Sequence, residues 1–490
     1  MYNGLLESSD SATIHWHGMW QRNTPHMDGT PYVSQCPIPP EQSFQYKFEA
    51  FPPGTHWYHS HIGIQRYDGI AGPLIVLPRG QRTDIPPDAI DDPENYTIFV
   101  QDWINNNTGQ RQEMDMTFGF GKKKAHDQPE TLLINGKGHI NGREFTKDNK
   151  PIYTPSARFL AREGKRYRFR YIQGTSTACP TLVYIPGHKL DVIASDGMPI
   201  QSRTVDVLSV ITGERYDFIV NFDDLSQPVP LYVVYEYNFT VFQTALIHNS
   251  RKPYPANDRS VNAPCEFFKQ ATEIGNELVV MNPLEDIMSK KGLFNLVNKT
   301  CHVSVNMRSV KLDQLQSADP SAFEEKSSYR EILSQDFQAK DDSVVNRPIE
   351  LSSSGPKYDE LNLFRFQLNN ISYRSPPLPG LFYDNPAGTF CNLSTIVEGN
   401  TSFTSVHGEK FYWCPHNLDL QPNKTVEFAL ISTKSAYIAH PLHMHGHSYA
   451  VVAMGYDISD LMSTEYLRNV TFTRNLKTPI RKDTIMVPCK

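Results

Sequence analysis

Three short histidine clusters constrain this chain more than any other feature. They are His15-Trp16-His17-Gly18, His59-Ser60-His61 and His440-Pro441-Leu442-His443-Met444-His445-Gly446-His447. Four H-x-H pairs occur in them, whereas random placement of 17 histidines among 490 residues would give about 0.6. Side chains on a strand alternate faces, so each H-x-H on a strand aims two imidazoles to one side. Ile14, Trp16, Trp57 and Tyr58 flank the pairs and supply a dry surround that orients the rings. All-imidazole ligation suits copper, zinc, iron or nickel. No Asp or Glu lies between these histidines, which disfavours an iron site built from two histidines and a carboxylate. Ligand softness alone does not separate copper from zinc. His447 lies one position beyond the useful pair and reads as structural; His126, His188 and His416 are isolated and read as ordinary.

The rest of the chain reads as β almost throughout. Ala71–Leu77, Tyr96–Val100, Tyr167–Tyr171, Arg215–Phe222 and Pro230–Tyr235 are short apolar or alternating runs between turns. The 28 glycines and 36 prolines favour many turns over long helices. Short strands with such punctuation predict all-β sandwiches. A length of 490 residues exceeds one core, and domains of ~100–150 residues make three the natural division. Asp84–Pro93 reads as a linker, a composition shift runs from about residue 250 to 270, and Gln314–Arg347 is a polar insertion.

Composition removes some classes of function. A formal net charge of -6 offers no nucleic-acid surface. No apolar run approaches the ~18–20 residues of a membrane span. Met1–Asp10 is polar, so no signal peptide is present in this stretch. Nine N-x-S/T sequons occur, against roughly four expected from composition, which points to a secreted glycoprotein. Seven cysteines is an odd number, leaving one without a partner in this chain.

With their flanks, the clusters resemble the ligand segments of the multicopper oxidases, laccases in particular. HWHG at 15–18, GTHWYHSH at 54–61 and HPLHMHGH at 440–447 match three of the family's four segments. Asp28-Gly29, Gln35-Cys36-Pro37-Ile38, Asp68-Gly69 and Gly72-Pro73 agree as well. So do Leu133-Ile134-Asn135-Gly136, Tyr167-Arg168-Phe169-Arg170 and Arg481-Lys482-Asp483-Thr484. The resemblance implies three consecutive cupredoxin-like Greek-key sandwich domains, over 1–85, 93–250 and 270–490, with the first and third incomplete and copper ligands only in those two. It implies that His15 and His443 hold a type 2 copper. His17 and His59 would serve one type 3 copper, His61 and His445 the other, and His440 a type 1 copper. Asp28 resembles the acidic residue that delivers protons as O2 becomes water. The implied activity is one-electron oxidation of a phenol or aromatic amine coupled to O2 reduction, by a secreted monomer with disulfides. Cys36 and Cys179 occupy positions that are paired in the laccases they resemble. That bridge would close a long loop and contribute up to ~4–5 kcal/mol on a chain-entropy model; pairings among Cys265, Cys301, Cys391 and Cys414 stay open.

The departure concerns the fourth segment. No H-C-H occurs in the 490 residues, and Cys489 has no histidine near it. The type 1 thiolate, its second histidine and one ligand of each type 3 copper therefore have no counterpart here. Only fourteen residues precede His15, fewer than the opening strands of a sandwich need. The expectation is a chain truncated at both ends and inactive by itself. Two rival functions are a ferroxidase or other metal-oxidising relative, and a non-catalytic copper-binding paralogue.

Overall fold

The structure is a computed structural model. It describes residues 1–5, 10–79, 85–103, 129–140, 156–177, 180–236, 238–252, 264–282, 293–298, 301–318, 346–351, 371–384, 389–391, 402–404, 410–415, 427–432, 439–454 and 475–487. Among these, strands dominate, and the only α-helices are Pro93–Tyr96 and Cys265–Glu273. The all-β, cupredoxin-like expectation holds.

The middle of the chain is a sandwich of two sheets. One sheet has seven strands, with Lys165–Gln173 and Arg215–Phe222 paired at its centre. The other has eight. Alternation explains the packing of Lys165–Gln173. Tyr167, Phe169 and Tyr171 face the core between the sheets, where they meet residues such as Phe218, Val183 and Leu231. Arg168 and Arg170 point the other way, yet they too are buried, at 2% and 1% exposure. They persist there because each is paired. Arg168 reaches Asp217 at 2.5 Å, and Arg170 reaches Asp91 at 2.9 Å. Arg170 also donates to the Thr55 hydroxyl at 2.8 Å, so this outer face is covered by the strand Gly54–Ser60 of the N-terminal part. The runs read as strands at 71–77, 96–100, 167–171, 215–222 and 230–235 form strands Ala71–Val76, Thr97–Trp103, Lys165–Gln173, Arg215–Phe222 and Val229–Tyr235.

One segment read as a connection takes part in a sheet. In the Asp84–Pro93 linker, Ala89–Ile90 pairs with Lys165–Gln173, and Asp92 caps the short helix that follows. Beyond the composition shift at 250–270, Leu278–Met281 pairs in parallel with Val207–Val210 and then with Cys301–Val310. The eight-stranded sheet thus runs on into the final third of the chain. Of the Gln314–Arg347 insertion, 319–345 lie outside the described residues.

The N-terminal part is a three-stranded sheet in the order Ile14–His17, Gly54–Ser60, Ala71–Val76. Near the other end of the chain, His440–His443 pairs antiparallel with Thr484–Val487. Cys391 and Cys414 form a disulfide with Cα atoms 5.8 Å apart. Cys36 forms none: it is exposed with a free thiol, so the expected bridge to Cys179, itself outside the described residues, is not made. The neighbouring residue gives the reason. Gln35 is buried and accepts a hydrogen bond from the Tyr46 hydroxyl, which leaves Cys36 facing solvent. Among the described residues, no helix is long and apolar enough to cross a membrane.

Candidate metal centre

Six of the seven singled-out histidines converge in one cluster. Antiparallel pairing sets His15 directly opposite His59, and a bond from the His61 backbone N–H to the Thr13 carbonyl carries the register one step further. The i, i+2 rule holds on both strands. The rings of His15 and His17 are 5.7 Å apart, and those of His59 and His61 are 5.9 Å apart. The third cluster enters from the far end of the chain, with His445 stacked on His15 at 3.8 Å and His443 on His17 at 3.6 Å. Trp57, fully buried, packs on His17 and His59 at 5.0 and 4.3 Å and closes the floor with Phe99 and Ile172. His440 stands at the other end of its strand, opposite Val487, about 10 Å from His443 at strand rise.

Hydrogen bonds fix which nitrogen of each ring is free. His15 Nδ1 donates to the Asp28 carbonyl at 2.9 Å, and His443 Nδ1 donates to the Asp483 carbonyl at 2.9 Å. A carbonyl only accepts, so both protons sit on Nδ1 and both Nε2 atoms carry lone pairs. Those two Nε2 atoms face each other at 3.3 Å. Two facing lone pairs repel unless a cation or proton lies between them. His59 Nδ1 is likewise tied to the Ser60 carbonyl at 2.8 Å. His445 Nδ1 is tied to Asp28 Oδ2 at 2.7 Å. In each case Nε2 is left over. His17 is reversed: Nε2 bonds the Thr484 hydroxyl at 3.0 Å, and Nδ1 is buried with no hydrogen-bond partner. This donor set fits a metal ion that prefers imidazole. His15, His17 and His443 can present ligand atoms within 4.8 Å of one another, as can His15, Asp28 and His445.

Electrostatics favour the ligand-competent form. Burial pushes the imidazoles of His17, His59 and His61 well below their usual value, and those of His440, His443 and His445 below it. Neutral rings are the ones that bind metals. Burial would raise the Asp28 carboxyl, but His15 and the hydrogen bonds from His15 and His445 outweigh it and hold the group well below the carboxylate range. Asp28 ends a short turn, and Gly29 follows with φ +85° against the Ile14 carbonyl, where a Cβ would collide. Glycine there lets the Asp28 loop lie directly on the ligand strand.

The structure gives roles to residues that the matched segments contain but do not single out as site residues. His56 sits between ligand-bearing positions but three residues before His59, hence on the opposite face of the strand. It is fully buried, and its Nε2 donates to the Pro52 carbonyl at 3.0 Å. Burial, with the Arg215 charge beside it, lowers its pKa to about 3. Asp483 and Thr484 touch both His17 and His443. Strand parity was the available signal for His56; Asp483 lies in the Arg481-Lys482-Asp483-Thr484 match, but nothing in the sequence marked it as the partner of both His443 and the distant His17.

Comparison with known proteins bears on the family and the fold. Residues 1–81, 79–251 and 388–490 match three family models, each described as multicopper oxidase. Laccase-3 of Thanatephorus cucumeris is 26% identical over 467 residues, covering 91% of this chain and 71% of the relative. Laccase-1 of Cryptococcus neoformans var. grubii is 27% identical, with 99% and 67% covered. The chain therefore spans about two thirds to seven tenths of these relatives. Among solved structures, the laccase from Botrytis aclada aligns with a TM-score of 0.61 at 21% identity, covering 98% of this chain and 71% of that one. Fet3p, described as a multicopper oxidase that functions in iron import, aligns at 0.60 and 16%, with 98% and 74% covered. At these identities the structural likeness concerns the fold.

Proposed function

The chain belongs to the multicopper oxidases and is laccase-like within them, and on that premise we propose that it serves the oxidation of phenols or aromatic amines at the expense of O2. One observation carries the reading: His15 and His443, 428 residues apart, face each other through their Nε2 atoms across 3.3 Å. We assign this pair to a type 2 copper, His17 and His59 to one type 3 copper, His61 and His445 to the other, and His440 to a type 1 copper. Copper, when bound, supplies one-electron storage and the place where O2 is reduced to water.

The protein's own groups do the rest. The carbonyls of Asp28, Ser60 and Asp483 fix the ring tautomers, as partners beyond the ligands commonly do. Trp57 and Phe99 keep water from the floor. O2 reduction consumes protons as well as electrons, and we assign Asp28 as the carboxylate that relays them. Its Oδ1 lies 3.3 Å from His15 Nδ1, and its Oδ2 accepts from Thr30 and His445. The fourth ligand segment has no counterpart in the 490 residues. We therefore assign these residues partial type 2 and type 3 sites, one type 1 ligand and no turnover by themselves. Secretion and glycosylation follow the sequons and stand as part of this proposal.

Reconstitution tests the reading. The purified 490-residue chain should bind copper, show no intense blue band and consume no oxygen with a phenol. Joined to the H-C-H segment of a laccase relative, it should show the blue band and consume oxygen with a phenol. A chain that takes up no copper contradicts the site. A blue band from the 490 residues alone contradicts the type 1 assignment.

A further inference from the structure

Among the described residues the middle domain supplies no histidine to the centre, yet its Arg215 touches the elements that carry the histidines from both ends of the chain. All five N–H donors of the guanidinium are used. Nε donates to the Thr55 carbonyl at 3.1 Å. Nη1 donates to the Gly213 carbonyl at 3.1 Å and to Asp483 Oδ1 at 2.5 Å. Nη2 donates to Asp483 Oδ2 at 2.6 Å and meets His56 Nδ1 at 3.3 Å. The His56 contact is an acceptor by elimination, since the proton of that ring sits on Nε2, bonded to Pro52. Thr55 and His56 belong to the strand that presents His59. Asp483 lies 3.3 Å from His17 Nε2 through Oδ1 and holds His443 Nδ1 through its carbonyl. Nothing in this hub is exposed: Arg215 is 0% and Asp483 2% accessible.

A second carboxylate locks the same strand. Asp196 Oδ2 accepts from the backbone N–H groups of Asp483 and Thr484 at 3.2 and 3.0 Å, and from Lys482 Nζ at 3.2 Å. Its Oδ1 accepts the Arg215 backbone N–H at 2.9 Å. The middle domain therefore holds both the carboxylate and the backbone of the segment beneath His17 and His443.

We propose that Arg215 is a positioning residue for the metal centre: its planar fork clamps Asp483 against the His59-bearing strand and so sets the rings of His17 and His443 relative to each other. The proposal rests on the copper reading above for its functional meaning, but its geometry does not. Lysine cannot replace the fork, because an ammonium offers three donors from one point and cannot span Thr55, His56 and both oxygens of Asp483 together.

The test uses the metal-free 490-residue chain with Arg215→Met, Arg215→Lys, Asp483→Asn and the Arg215→Met/Asp483→Asn double variant. Two readouts are taken: Cu(II) affinity by competition titration, and ring nitrogen-15 signals of histidine in the metal-free state. In the parent chain His17 should appear as the Nε2–H tautomer and His443 as the Nδ1–H tautomer. Arg215→Met should blur both and weaken Cu(II) binding about tenfold, within the range of lost support beyond the ligands. Arg215→Lys should recover less than about a third of that loss. The double variant should bind no more weakly than the poorer single one, since both act on one contact. Should Arg215→Met not fold, Arg215→Lys and Asp483→Asn carry the same comparison. Unchanged tautomer signals, with affinity within about twofold of the parent in the folded variants, would overturn the proposal. If the parent binds no Cu(II), the copper reading fails, and the ring signals alone still decide whether Arg215 sets the rings.

Discussion

The two ends of the chain contribute to one centre by different physical routes. At the N-terminal end, His15, His17 and His59 are 0%, 3% and 5% exposed, and they sit on directly paired strands. Their spacing follows from strand geometry, Trp57 packs on His17 and His59, and the Ser60 and Asp28 carbonyls hold His59 and His15. At the C-terminal end, the side chains of His443 and His445 are 16% and 31% exposed. Both are oriented from elsewhere: His443 by Asp483 and Thr484, His445 by Asp28 of the N-terminal region. One half of the site is built by local pairing; the other is held by tertiary contacts. Damage to packing should therefore act on the first half, and damage to long-range polar contacts on the second and on His17, which shares Asp483 and Thr484 with it.

Trp57→Ala is the most severe way to break this contrast. It empties the floor under His17 and His59 and should cost about 3–5 kcal/mol, as for other buried aromatic truncations. A urea titration measures it, and a loss under about 1 kcal/mol would show that the N-terminal pairs do not depend on local packing. Thr484→Val is milder. It removes one hydroxyl bonded to both His17 and His443, at a cost of about 1 kcal/mol, and should weaken Cu(II) binding only a few-fold by competition titration. A hundredfold loss would mean that Thr484 does more than orient rings. His447→Ala should change neither quantity, since that ring is exposed and bonded only to the backbone of His445; any loss of bound copper would place His447 in the site.

The same contrast decides what could be read from sequence. Local periodicity exposes local structure. Arg215–Phe222 forms the strand its alternation suggests, and the pairs His15/His17 and His59/His61 face the side their spacing implies. The residues that hold the C-terminal half are invisible to such reasoning. Arg215 and Asp483 are 268 positions apart, and charged residues in strands ordinarily signal a solvent face. Here Arg168, Arg170 and Arg215 are all buried because another part of the chain covers that face. Cys36 makes the opposite point. Its flanks match paired relatives, but the inward turn of Gln35 leaves it in solvent with a free thiol.

The central claim is that His15 and His443 share one metal ion. Pulsed EPR of Cu(II) added at substoichiometric amounts to the metal-free chain tests it by counting coordinated imidazoles. The parent chain should show modulation from at least two imidazoles, and His15→Ala and His443→Ala should each remove one and weaken binding by more than about tenfold. If both variants retain the parent's modulation and affinity, the two ends of the chain do not meet at a common ion, and the account fails.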